Sequence, residues 1–369
     1  MLPVTDTQRE ARRRRALLLW LQTIAALLVL MVMVGGATRL TDSGLSIVEW
    51  RPVTGAVPPL NEADWTAEFA KYRTSSEYQL ANSGMTLSEF KRIYWWEWGH
   101  RLLGRLIGVA FFLPLLFFEW RGFVEPRFRW RLWSIFGLGA LQGAIGWWMV
   151  ASGLVGRVDV AQERLAIHLT TACIILVAIV ATAQAMRPAR ASAPAPRRLA
   201  FLAVTILGLL LVQIALGGLV AGLKAGLASD TWPLIDGAAI PPADRLFVLA
   251  PLWVNFLDNP LTAQFTHRMV AYLVVALAAV HAIDCRYAGA GRYRHGALTL
   301  VLVLLLQAGL GVATILWHVP IALALAHQIV AILALIVATL HAGDVVAARA
   351  TGARRSRDAV TDRVVRLSA

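Results

Sequence analysis

Cysteine is almost absent from this chain: Cys173 and Cys285 are the only two in 369 residues. One lies within an apolar segment and the other at the end of one, which excludes a disulfide framework on an outer face. Neither belongs to a CxxC pair of the kind that binds structural zinc, so packing is the role their positions predict. Charge is scarce as well, at 15% of residues against 58% hydrophobic. With a mean hydropathy of +0.63, that composition excludes a soluble domain of this size. Acidic charge is the scarcer sign, with 22 Asp and Glu against 35 Lys and Arg and a net charge of +13. A nucleic-acid partner would suit such a balance, but the placement of the cations argues against one.

Long apolar runs are what the chain has in abundance. Eight of them, near 17–36, 94–118, 132–151, 165–186, 200–222, 262–283, 297–317 and 319–342, can cross a hydrocarbon core as helices. Of the 35 basic residues, 22 fall before the first run, within 119–131, 187–198 and 284–294, or after 344. Cations on alternate connections follow the positive-inside rule, which puts both termini in the cytoplasm and runs the even-numbered helices inward. Arg12 to Arg15 precede an apolar run too long for a cleaved signal, and the short leader leaves no room for an organelle transit peptide. A multi-pass protein of a bacterial inner membrane is the expectation.

The chain also repeats itself. GGATRLTDSGLSIVEWRPVTG from Gly35 aligns without gaps to GGLVAGLKAGLASDTWPLIDG from Gly217, and His100-Arg101 recurs as His267-Arg268. Leu141-Gln142 recurs as Leu306-Gln307, followed by Gly146 and Gly311, and His168 recurs as His327. The expected fold is therefore an all-α polytopic membrane protein of eight transmembrane helices in two pseudo-symmetric four-helix bundles, 1–190 and 191–369. The Pro- and Ala-rich linker Arg187 to Arg198 divides them, and the two long outward loops, 51–93 and 224–261, are expected to carry short interfacial helices.

Histidine inside an apolar helix is costly unless it has a partner. His100, His168, His267 and His327 all fall near the outer ends of even-numbered helices, two per repeat, as bis-imidazole ligation of an iron porphyrin requires. Zinc would gather its ligands together, and copper would bring Met or Cys. Glu97 precedes His100 by three residues and shares its face, whereas the second half has Gln264 there. A carboxylate at that place can move protons or stabilise developing positive charge. Arg101, Arg105, Arg268 and Arg39 are candidates for haem propionates, with snorkelling toward headgroups as the competing reading. Tyr94, Trp95, Trp96 and Trp98 suit an interfacial aromatic belt or a porphyrin wall. His281 and His341 lie 14 residues beyond His267 and His327, the spacing of a second, inner haem, which the first half does not repeat.

EWGHRLLGRLIG at Glu97 to Gly108, NPLTAQFTHRMVAY at Asn259 to Tyr272, HLTTA from His168 and AHQIVA from Ala326 resemble the haem A synthase family. The likeness extends over all eight apolar segments. It implies oxidation of the C8 methyl of haem O to a formyl group by successive hydroxylations, giving haem A for terminal oxidases. It further implies that His100 and His168 bind the substrate haem, that His267 and His327 hold a permanent haem b, and that Glu97 is needed for the chemistry. An electron donor of unidentified kind, haem O synthase, cytochrome oxidase assembly factors and membrane lipid are the partners it suggests, with no nucleic acid. Relatives with a cysteine pair in an outer loop differ from this chain, which has none there. Two other readings remain: a multi-haem cytochrome b, which would use His281 with His341, and a haem transporter or chaperone. Neither explains an acid at 97 in one half alone.

Overall fold

The structure, a computed structural model, describes residues 6–188, 194–288 and 291–368. Among these the chain is helical, with one isolated bridge between Ile235 and Ala238. Eight long helices are present: α1 (Asp6–Leu40), α2 (Leu87–Trp120), α3 (Pro126–Ala151), α4 (Gln162–Ala185), α5 (Arg197–Gly222), α6 (Pro260–Tyr287), α7 (Gly291–Leu316) and α8 (Ile321–Ser368). All eight are long and apolar enough to cross a membrane. No more than 39% of any span's most apolar stretch is buried inside the protein, as expected where the surrounding solvent is lipid. The chain is thus a multi-pass membrane protein.

Several helices begin before their apolar runs. α2 starts at Leu87 because Thr86 and Glu89 form a reciprocal capping box, with both side chains bonding the other's backbone N–H. Asn259 caps α6 through the Leu261 and Thr262 amides, and Pro260 opens it with a preset φ. Hydropathy reads only the part of a helix that lies in lipid, so it missed these polar first turns.

The same ring of neighbours recurs in each half. α1 packs on α2 and α4, and α3 packs on α2 and α4; α5 packs on α6 and α8, and α7 packs on α6 and α8. Between halves, α4 meets α5, α8 meets α1, and α4 meets α8. In the first half, Leu21 and Ile24 of α1 interlock with Leu115, Leu132 and Ile179 from the other three helices. The second core runs into the seam, joining Cys173, Leu176, Ile206, Val274, Leu304 and Leu335 with Val32 of α1. Cys173 packs as expected.

Glycines let the seam close. A Cβ on Gly218 would come 2.8 Å from the Ala166 Cα, and one on Gly222 would come 2.7 Å from the Gln162 Cα. Gln328 of α8 donates to the Val32 carbonyl of α1 at 2.7 Å, and Gln184 of α4 donates to the Leu340 carbonyl of α8 at 2.7 Å. Part of the proposed divide, 189–193, lies outside the described residues. The loops 51–93 and 224–261 carry short helices, chiefly Glu62–Tyr72 and Ser76–Leu80 in the first and Ala243–Leu246 and Asn255–Asp258 in the second.

Candidate functional site

The four outer histidines sit in matching surroundings built from the repeat. Each faces a glycine on a neighbouring helix of its own half: Gly35 for His100, Gly146 for His168, Gly217 for His267 and Gly311 for His327. A Cβ on Gly35 would lie 2.9 Å from the His100 Nε2, and one on Gly311 would lie 2.8 Å from the His327 Cε1. Hydrogen at these positions leaves the imidazoles room to turn into their bundle. His100 and His168 lie on α2 and α4 of the first half, and His267 and His327 on α6 and α8 of the second.

Glutamines hold three of the four. Gln142 donates from Nε2 to the His168 carbonyl at 2.8 Å and lies 3.0 Å from its Nδ1. Gln213 donates to the His267 carbonyl at 3.0 Å and lies 3.1 Å from Nδ1. Gln307 contacts the His327 Nε2 at 3.2 Å, while its own carbonyl lies 3.1 Å from Nδ1. The ring of His100 makes no hydrogen bond among the described residues. Residue 31, in the place of Gln213, is Met.

Glu97 is buried and fully engaged. Its Oε2 accepts from the Ser46 hydroxyl at 2.7 Å and from the Ile47 N–H at 2.8 Å. Its Oε1 accepts from Arg101 Nε at 3.1 Å and NH2 at 2.6 Å. Arg101 then donates to the carbonyls of Ile47 and Glu49 and lies over the Trp147 ring, 5.6 Å from its centroid. The acid therefore does not face water, and the snorkelling reading fails for Arg101.

The second half builds the same cage with an amide. Gln264 donates to the Ala225 and Ser229 carbonyls, each at 2.9 Å, and its Oε1 accepts from Arg268 at 3.1 Å. Arg268 also donates to the Thr231 and Ser229 carbonyls. Where Glu97 accepts two bonds from the loop, Gln264 donates two. The pairs Glu97 with Arg101 and Gln264 with Arg268 are each four residues apart on one helix face.

The residues present fit an anionic porphyrin. Arg105 donates to the Pro52 and Arg51 carbonyls and keeps its NH1 buried without a partner, as does Arg268 its Nε and Trp98 its Nε1. The Oε1 atoms of Gln142, Gln213 and Gln307 are likewise unpartnered beside their histidines. Buried groups without partners cost about 1–3 kcal/mol each, and a propionate or a ring N–H freed by metal binding at the opposite nitrogen would satisfy them.

Other expectations change. Arg39 pairs with Asp42 and Asp159 of its own half and donates to the Ala221 carbonyl of the other, whose Lys224 also meets Asp159. Tyr94 is not part of an interfacial belt but is buried against Trp65 and Phe90 under the first loop, while Trp95 and Trp96 remain exposed. His281 and His341 do meet, with Nε2 atoms 2.7 Å apart. Trans ligands on one iron need about twice a ~2 Å metal–nitrogen bond, so no haem fits between these two.

Comparison with known proteins points the same way. The family described as cytochrome oxidase assembly protein, COX15-CtaA, matches residues 18–339. A haem A synthase from Rhodopseudomonas palustris (strain BisB5) is 56% identical over 344 residues, covering 93% of this chain and 95% of that protein. One from Azorhizobium caulinodans is 55% identical, covering 90% of this chain and 95% of its own length. One from a Bradyrhizobium strain (BTAi1) is 56% identical over 328 residues, covering 89% and 90%.

Proposed function

The chain belongs to the COX15-CtaA family of cytochrome oxidase assembly proteins, and from that membership we propose that it is a haem A synthase of a bacterial inner membrane, with both termini in the cytoplasm. Haem O is the substrate. Its C8 methyl is taken to a formyl group by successive hydroxylations and loss of water. With water as the oxygen source, the conversion releases four electrons and four protons, so the unidentified redox partner acts there as the electron acceptor. Haem A then goes to terminal oxidases, through oxidase assembly factors, with haem O synthase upstream.

Residues 1–190 form the substrate unit and 191–369 the cofactor unit. His100 and His168 hold the substrate haem; His267 and His327 hold haem b, which when bound supplies one-electron chemistry. Arg105 and Arg268 bind propionates through the donors they leave unpartnered. Arg101 is a positioning residue for Glu97, since its guanidinium is already filled by the carboxylate and two carbonyls. The observation that carries the division of labour is the matched cage around Glu97 and Gln264. Only the first can present a negative charge, and only there is positive charge at an oxidised carbon stabilised.

Membranes supplied with haem O test the reading. The purified protein, extracted and chromatographed, should yield haem B together with haem O, its hydroxylated intermediate or haem A. Haem B alone, at two per chain, would replace this proposal with a cytochrome b.

A further inference from the structure

At the helix ends remote from the four outer histidines, a separate cluster of three ligand side chains is assembled. His281 and Cys285 stand one turn apart on α6, and His341 comes from α8. The Nε2 atoms of the two histidines are 2.7 Å apart and the Cys285 sulfur is 3.5 Å from the His281 Nε2. All three potential ligand atoms lie within 4.8 Å of one another, and all three residues are buried. His281 is about 21 Å along the helix from His267, 14 residues at ~1.5 Å each. The cluster is therefore distinct from the haem pairs.

Nothing in the packing calls for these side chains. Ala195, Leu199, Ala200, Ala297, Val345 and Ala348 pack around Cys285 with the Tyr293 ring, and the carboxylates of Asp284 and Asp344 lie near His281 and His341. Space has been cleared for the ring of His341, since a Cβ on Gly296 of α7 would come 2.6 Å from its Nδ1. The His281 Nδ1 is buried without a hydrogen-bond partner. Two neutral imidazoles can share one hydrogen bond at such a separation, but that still leaves the buried His281 Nδ1 unsatisfied.

We propose that His281, Cys285 and His341 form a cation site for a thiophilic d10 ion, zinc(II) or copper(I). With metal–nitrogen bonds of about 2.0 Å and a metal–sulfur bond of about 2.3 Å, the observed N···N and S···N separations subtend roughly 85° and 110° at a common centre. The second is the tetrahedral angle, and the first reaches it when the two imidazole nitrogens part by about 0.6 Å. Two imidazoles and one thiolate suit borderline and soft ions and disfavour magnesium or calcium, which take oxygen. Binding would deprotonate Cys285 and tie α6 to α8 at the inner end of the second half.

The test uses the full-length protein, purified from membranes without a histidine tag and grown with both metals supplied. Elemental analysis should find about one zinc or copper per chain besides haem iron, and which of the two is present identifies the ion. Cys285→Ser and His341→Ala should each lower that content at least fivefold while leaving the haem absorbance per chain unchanged. Cobalt(II) added to the metal-stripped protein should give a thiolate-to-metal charge-transfer band that Cys285→Ser lacks. Less than a tenth of an equivalent of either metal, with no such band, would overturn the proposal and leave a hydrogen-bonded histidine pair.

Discussion

The two residues of each Gly-Gly doublet meet different neighbours. Gly35 and Gly217 face the histidines of their own halves, while Gly36 and Gly218 face the other half, against Gln328 and Ala166. Consecutive residues on a helix point about 100° apart, so one doublet can serve a ligand and a seam together. The doublets were visible as repeats in the sequence, yet their division of work was not, because it depends on which helices flank α1 and α5. The glutamines were half legible for a similar reason. Gln142 and Gln307 recur in register, but Gln213 has Met31 as its counterpart and so gave no repeat signal. Gly35→Ala should press a methyl against the His100 Nε2 and turn the imidazole away from its ligating position. The expected result is at least a tenfold loss of haem A formation with haem b retained, read from extracted pigments.

Elements outside the membrane carry their own chemistry. In the first outward loop, Tyr72 donates its hydroxyl to Glu77 at 2.9 Å and accepts from Asn82 at 2.9 Å. Burial pushes the Glu77 carboxyl up to about 7, and the Tyr72 hydrogen bond only partly opposes the rise. A carboxyl whose folded pKa is raised contributes its full stability below the unfolded value and loses it as pH climbs through the folded one. The loop should therefore loosen between about pH 4.5 and pH 7, at a cost of up to ~3 kcal/mol by pH 8. Glu77→Gln should flatten that dependence, measured as the rate of protease cleavage in the loop against pH. Sequence alone marked this loop as a place for short interfacial helices. Glu77's burial was not legible, because it arises from the fold of Tyr72, Tyr78 and Phe90 over one another.

For the whole molecule, eight spans and the duplicated order were legible because lipid imposes one requirement on every crossing segment. Less legible was how the halves join, which rests on small residues rather than on hydrophobic pattern. Gly218→Val should force α5 from the α4 backbone and destabilise the protein by about 1–3 kcal/mol. Gly108→Val, with nothing within 4 Å of its Cβ, should leave the melting temperature within error. In the proposed function the two halves share one architecture and differ in charge, the acid at 97 marking where a haem is altered. Glu97→Gln tests it most directly, since Gln264 already occupies the matching cage in the other half. The purified variant, supplied with haem O, should keep one haem b per chain and make no haem A. Formation of haem A at the wild-type rate would contradict it.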